Sequence, residues 1–201
     1  MLLNLDSDGI GRLITAQGFE RNQANLDSLF GDRSWIELNP AAAMPSLCAA
    51  VLTLYKQRLR SLRQVRYVFA FAMNSRQGQL NYHLVFASQH RLGLEKMKET
   101  MKAVDQTGSY SFSDDTVGQE LLQFDFNEPA RCAVKMQAAL GGAWRPYSEF
   151  HDYALNETPF INPKAMLRHL KTLGKLHVSW RGQPAKTGFP EDKISSILIL
   201  K

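Results

Sequence analysis

Residues 162–201 read NPKAMLRHLKTLGKLHVSWRGQPAKTGFPEDKISSILILK, and this stretch decides the reading of the chain. Asn162 followed by Pro163 is a helix start, because an asparagine side chain caps free amide groups and proline suits the first turn. Ala165, Met166, Leu167, Leu170 and Leu173 then recur at helical spacing and predict a buried stripe. Gly174 stops the helix, since glycine accepts the left-handed conformation common at helix ends. Residues 175–180 (KLHVSW) alternate as a strand. Residues 181–188 (RGQPAKTG) form a turn-rich basic loop, and 194–200 an apolar closing strand. Helix, strand, basic loop, strand is the order of a winged helix.

The charge points the same way. This segment holds eight Lys/Arg against two acidic residues, a net of +6, while the whole chain carries +5. The other 161 residues therefore sum to −1, and the excess is local. Lys164, Arg168, Lys171 and Lys175 recur at spacings of four, three and four, which predicts one helix face opposite the leucines. Arg181 and Lys186 lie in the loop. One cationic helix face plus a basic loop is suited to nucleic-acid phosphates; a solvated face on a packing module has the same spacing. Trp180 beside Arg181 is placed to stack on a base or to cap the module's core.

Upstream, residues 147–157 predict a helix opening this module, and Gly141-Gly142 with Arg145-Pro146 read as a linker. Two domains follow: an α/β body over 1–143 and a basic module over 147–201. In the body, 2–5 reads as a strand and 10–16 as a helix. Residues 18–45 read as a mobile excursion with one short helix at 26–30. Residues 46–62 predict a helix whose buried side is Leu47, Val51, Leu54, Tyr55 and Leu62. Residues 65–73 and 80–87 form an apolar hairpin, which implies cover on both faces. Residues 93–104 predict a helix with Leu94, Met97, Met101 and Val104 inward. A polar loop over 105–118, a strand at 121–126 and a helix at 129–140 complete the body.

At 201 residues, with 44% hydrophobic and 21% charged residues, the chain suits one large or two small domains and can bury a core. Its two cysteines, Cys48 and Cys132, lie far apart in apolar helical contexts and read as buried thiols rather than a zinc site or disulfide. The first six residues turn acidic too soon for a signal peptide, and no apolar run approaches a membrane span. The expected location is the cytoplasm.

Four blocks resemble the three-Cys-motif partner protein family of phages and mobile elements. They are Leu3, Asn4, Leu5, Asp6, Ser7, Asp8 and Gly9 with Arg12; Phe30 and Gly31 with Trp35; Tyr82 through His90 with Gly93, Met97, Met101 and the run Phe112, Ser113, Asp114; and Glu157, Thr158 and Pro159 with Thr187, Gly188, Phe189 and Pro190. The resemblance implies a partial class I methyltransferase-like (Rossmann-type) mixed sheet followed by a winged-helix-like tail. It also implies association with a radical-SAM-like three-cysteine protein. The family's glycine-rich cofactor loop and acidic motif are missing, so no cofactor is expected, and Gly9-Ile10-Gly11 is a weak substitute. The chain looks like the C-terminal half of such a protein. Its first strand, 2–5, would then neighbour the returning hairpin strand 80–87 on one side. The other edge would be covered by a second copy, a companion polypeptide or the segment 18–45 folded back.

No catalytic constellation is complete. Asp6 and Asp8, at a strand end, are the best acidic pair for a base or metal, though the same residues suit a capped turn. His83, His90 and His151 lack a third ligand at metal spacing. Ser88 and His90 diverge at a strand end. Asp105, Asp114 and Asp115, with Tyr110 and Phe112, occupy a polar loop. Two function classes lead, beside the plainer one of a structural interaction domain with no nucleic-acid role. One is an accessory nucleic-acid-binding protein that is not catalytic alone. The other is half of a split or truncated SAM-dependent methyltransferase-like enzyme.

Overall fold

The computed structural model describes residues 1–16, 19–74, 80–104, 111–113 and 128–201. Contacts divide the chain into two units, Met1–Leu121 and Leu122–Lys201. Both mix helices and strands.

The first unit is built on a four-stranded sheet in the order β1-β3-β2-β4, formed by β1 (Leu2–Leu5), β2 (Tyr67–Asn74), β3 (Leu80–Ser88) and β4 (Ser111–Ser113). β3 runs antiparallel to both β1 and β2, and β4 is parallel to β2. The expected pairing of 2–5 with the returning hairpin strand is present, with Leu2 opposite Phe86 and Leu5 opposite His83. The hairpin strands are the two inner strands, and both of their faces are covered. On one, Val68, Val85 and Ala87 pack with Leu5 and Leu59. On the other, Phe71 packs with Met101, flanked by Phe69, Leu84, Phe86 and Met97. Period-two alternation along an apolar strand produces this split.

Among the described residues the α-helices of this unit are α1 (Ser7–Thr15), α2 (Gln23–Phe30), α3 (Met44–Ser61) and α4 (Arg91–Val104). Gly11 lets α1 close on α3, where an added Cβ would stand 3.0 Å from Met44 Sδ. Residues 18–45 are not an excursion: in the described part, Leu26, Phe30 and Trp35 are each 2% exposed and share a core with Leu47 and Val51. Trp35 Nε1 donates to Asp27 at 2.8 Å, which fixes the ring. Large aromatic area outweighs the polar local sequence here. This segment packs on helices and contributes no strand beside β1 among the described residues.

Other expectations change at element ends. Leu62 follows α3 rather than lying on it and is exposed, as is Val104 at the end of α4. Leu59 and Cys48 take the buried places on α3. Residues 111–113, expected in a loop, pair with β2. The strand expected at 121–126 lies outside the described residues.

The second unit contains α5 (Glu128–Leu140), β5 (Trp144–Arg145), α6 (Tyr147–Glu157), α7 (Lys164–Thr172), β6 (Leu176–Trp180) and β7 (Ile194–Ile199). Its antiparallel sheet has the order β5-β7-β6. One core holds Cys132, Ala133 and Met136 of α5, Tyr147, Phe150 and Ala154 of α6, Met166, Leu167 and Leu170 of α7, and Ile194, Ile197 and Ile199 of β7. The expected boundary between 143 and 147 therefore moves. α5 belongs to this unit because its buried side completes that core, and the expected linker contains β5, paired with β7.

Candidate nucleic-acid interface

α7 starts as its sequence dictates. Asn162 Oδ1 accepts from the Lys164 amide at 3.1 Å, and Pro163 O accepts from Leu167 N at 2.9 Å. Met166, Leu167 and Leu170 are buried, while Lys164, Arg168 and Lys171 are exposed. Leu173, expected in the buried stripe, is 54% exposed because the helix ends at Thr172. Gly174 adopts φ 68° and turns the chain into β6, as a helix-ending glycine should.

Lys175 thereby leaves the helix face it was expected to share. Its Nζ lies 3.5 Å from Gln137 Oε1 on α5. Lys171 leans the other way, its Nζ 5.9 Å from the centre of the Phe189 ring, at the far end of the loop joining β6 to β7. That loop carries Arg181 and Lys186, both exposed, and Arg181 N donates to Lys193 O at 2.8 Å across its base. Trp180 is half-buried and packs against the core, the second of its two expected places.

Several cations elsewhere are neutralised locally, though the exposed Arg21, Arg63, Lys102 and Lys135 are not among them. Arg12 meets Asp8, Arg33 meets Asp27, Arg58 meets Asp32, Arg91 meets Glu95, Lys96 meets Glu99 and Arg145 meets Glu149. Among the described residues no carboxylate pairs with Lys164, Arg168, Lys171, Lys175, Arg181 or Lys186. Exposed ammonium and guanidinium groups without a counter-charge are available to phosphates.

The acidic candidates are locally engaged. Asp6 caps α1, its Oδ1 accepting from Gly9 N at 2.7 Å, and Asp8 forms an ion pair with Arg12 at 2.9 Å. Among the described residues no three His, Cys, Asp or Glu side chains converge as a metal site would require. Ser88 Oγ bonds the backbone of His90 rather than its ring. His151 is buried, with Nε2 3.0 Å from Ile161 O and Nδ1 3.7 Å from Glu191. Asp105, Tyr110, Asp114 and Asp115, and the side chain of Phe112, lie outside the described residues.

One pair escaped the sequence reading: Ser7 Oγ lies 3.1 Å from His83 Nδ1, both buried. The residues are 76 positions apart, and only the register of β1 on β3, with Leu5 opposite His83, brings them together. Ser7 is fully enclosed, so the pair fills a polar gap in the core rather than presenting a nucleophile. Burial holds the imidazole below its ordinary value of 6.5. The unfolded chain therefore takes up a proton that the folded one resists. The resulting stability is present above about pH 6.5 and is lost as pH falls below it. Urea midpoints between pH 7 and 5.5 should fall more steeply for the wild type than for His83→Gln; parallel slopes would contradict this.

The chain matches no family model, no curated protein and no solved structure. No helix among the described residues is long and apolar enough to cross a membrane.

Proposed function

We propose that this chain is a nucleic-acid-binding accessory protein, of the kind found with phages and mobile elements, that is not catalytic on its own. Its second unit is the docking part, a winged-helix-like module. The observation that carries the reading is the set of six exposed cations with no paired carboxylate, on α7, on the turn after it and in the β6–β7 loop. The element order helix, strand, helix, helix, strand, loop, strand, with a β5-β7-β6 sheet, supports a module that presents α7 and the loop together. Lys164, Arg168 and Lys171 contact phosphates from the helix; Arg181 and Lys186 do so from the loop. Lys175 flanks them. Such contacts give affinity without sequence choice. Retardation of non-specific DNA at low salt, lost at higher salt, tests this directly.

A second reading is favoured by the order β1-β3-β2, with β3 antiparallel to both neighbours. It makes the first unit the C-terminal half of a split or truncated SAM-dependent methyltransferase-like enzyme, working with a radical-SAM-like three-cysteine partner. Calorimetric titration with S-adenosylmethionine should give no heat of binding for this chain alone, because the glycine-rich loop is missing; a reading frame upstream of or adjacent to this one that encodes a glycine-rich strand–loop–helix would favour the second reading.

Both readings assign a cover to the free edge of β1. Among the described residues β1 pairs with β3 alone, and Leu2 is 52% exposed. Residues 1–5 carry neither a charged side chain nor proline to discourage pairing. A companion polypeptide or a second copy occupies it. Light scattering on the purified chain should report a dimer if the occupant is a second copy, dissociated by Leu3→Pro. A stable, monodisperse monomer with this edge left bare would contradict the covered edge and, with it, a larger sheet continuing beyond β1.

A further inference from the structure

The outer face of the β5-β7-β6 sheet carries groups that α7 does not use. Ile197 and Ile199 turn into the core, so strand alternation sends Ser196 and Leu198 to the opposite face. The register sets Trp144, Leu198 and His177 in one row across the three strands, and Ser196 opposite Ser179 in the next. Trp144 is 52% exposed, His177 is exposed and Leu198 is half-buried. Tryptophan is highly buried on average, and an open indole at the end of such a row is a stacking surface.

The three strands contain no acidic residue. At the end of the sheet where this row lies, Lys175 directly precedes β6 and the stem of Lys201 lies against Gly142, where an added Cβ would stand 2.7 Å from its Cε; Glu191 and Asp192 precede β7 at the opposite end. Neighbouring strands are about 4.8 Å apart, which separates the rings of Trp144 and His177 by roughly 10 Å. That span holds successive splayed bases, with Leu198 as an apolar floor between the rings.

We propose that this face binds single-stranded nucleic acid, with Trp144 stacking on one base, His177 on a neighbour, and Lys175 and Lys201 meeting the backbone. Aromatic platforms beside cations take any base, since each has a π face. Charge complementarity selects a polyanion over a second copy, because the three strands of a second such face offer no acidic side chain to Lys175 and Lys201. The site shares Lys175 with the α7 set but none of its helix or loop residues, and it extends nucleic-acid binding to a second substrate form.

The test titrates the full chain, by fluorescence anisotropy, with a labelled thymidine oligonucleotide and with a duplex of the same length. Trp144→Ala should weaken oligonucleotide binding roughly tenfold and leave duplex binding unchanged. Trp144→Phe should retain most of it, and His177→Ala should lose less than Trp144→Ala. Equal oligonucleotide affinity for wild type and Trp144→Ala would overturn the proposal, as would no oligonucleotide binding at low salt. A dimer in sedimentation that Trp144→Ala dissociates would assign the face to a second copy instead. The duplex arm reports separately on α7, so failure of one face is distinguishable from failure of the other.

Discussion

Reversing the charge at Lys164 and Arg168 together should lower affinity for duplex DNA on the order of a hundredfold at low salt. Each phosphate contact releases condensed counterion, and removing two cations removes two such releases and adds repulsion. Both side chains are exposed, so the variant should keep its fold and its unfolding midpoint. The loss should be the same on unrelated sequences, because phosphates carry no sequence information. Anisotropy titrations of Lys164→Glu with Arg168→Glu on two unrelated duplexes check this. An unchanged affinity would make the α7 face a bystander, and a loss on one sequence alone would point to base reading by Arg168.

Phe150→Ala should cost the second unit about 3–5 kcal/mol. The ring is fully buried in α6 and belongs to the core shared by α5, α7 and β7. Deleting it leaves a cavity in the core it shares with fully buried Met136, Leu167 and Ile197, so the site cannot collapse without moving a helix. A loss this large is comparable to the whole stability of a small domain. Urea unfolding followed by circular dichroism should show an early transition for this unit, and DNA binding should disappear with it, since α7 depends on the same core. A midpoint within experimental error of the wild type would contradict the assignment of α5 and α6 to one core with α7.

Legibility in the sequence followed the strength of local signals. α7, its glycine stop and its cationic face were readable because an amphipathic helix writes its burial at fixed spacing, and the structure keeps Met166, Leu167 and Leu170 buried. The hairpin was readable because two apolar runs on both faces have few other solutions. Features that depend on distant partners were not. β5 is two residues long, and only its pairing with β7 defines it. Trp35, and the helix ending at Phe30, looked like parts of a mobile excursion because their core neighbours, Leu47 and Val51, are more than ten positions away. The Ser7–His83 contact required the β1–β3 register. Lys175 kept the helical period in sequence, but Gly174 turns the chain before it. Leu62, Leu173 and Val104 were all placed in buried stripes and all are exposed. The periodic pattern runs past the point where the backbone leaves the helix.

The measurement that bears most directly on a phosphate-docking tail is the salt dependence of wild-type DNA binding, followed by anisotropy on a non-specific duplex from 50 to 200 mM salt. Contacts from most of the six cations predict a linear fall of log K on log salt with a slope of about −3 to −5, roughly a hundredfold to thousandfold loss across that range. No binding at the lowest salt, or binding that does not change with salt, would contradict it.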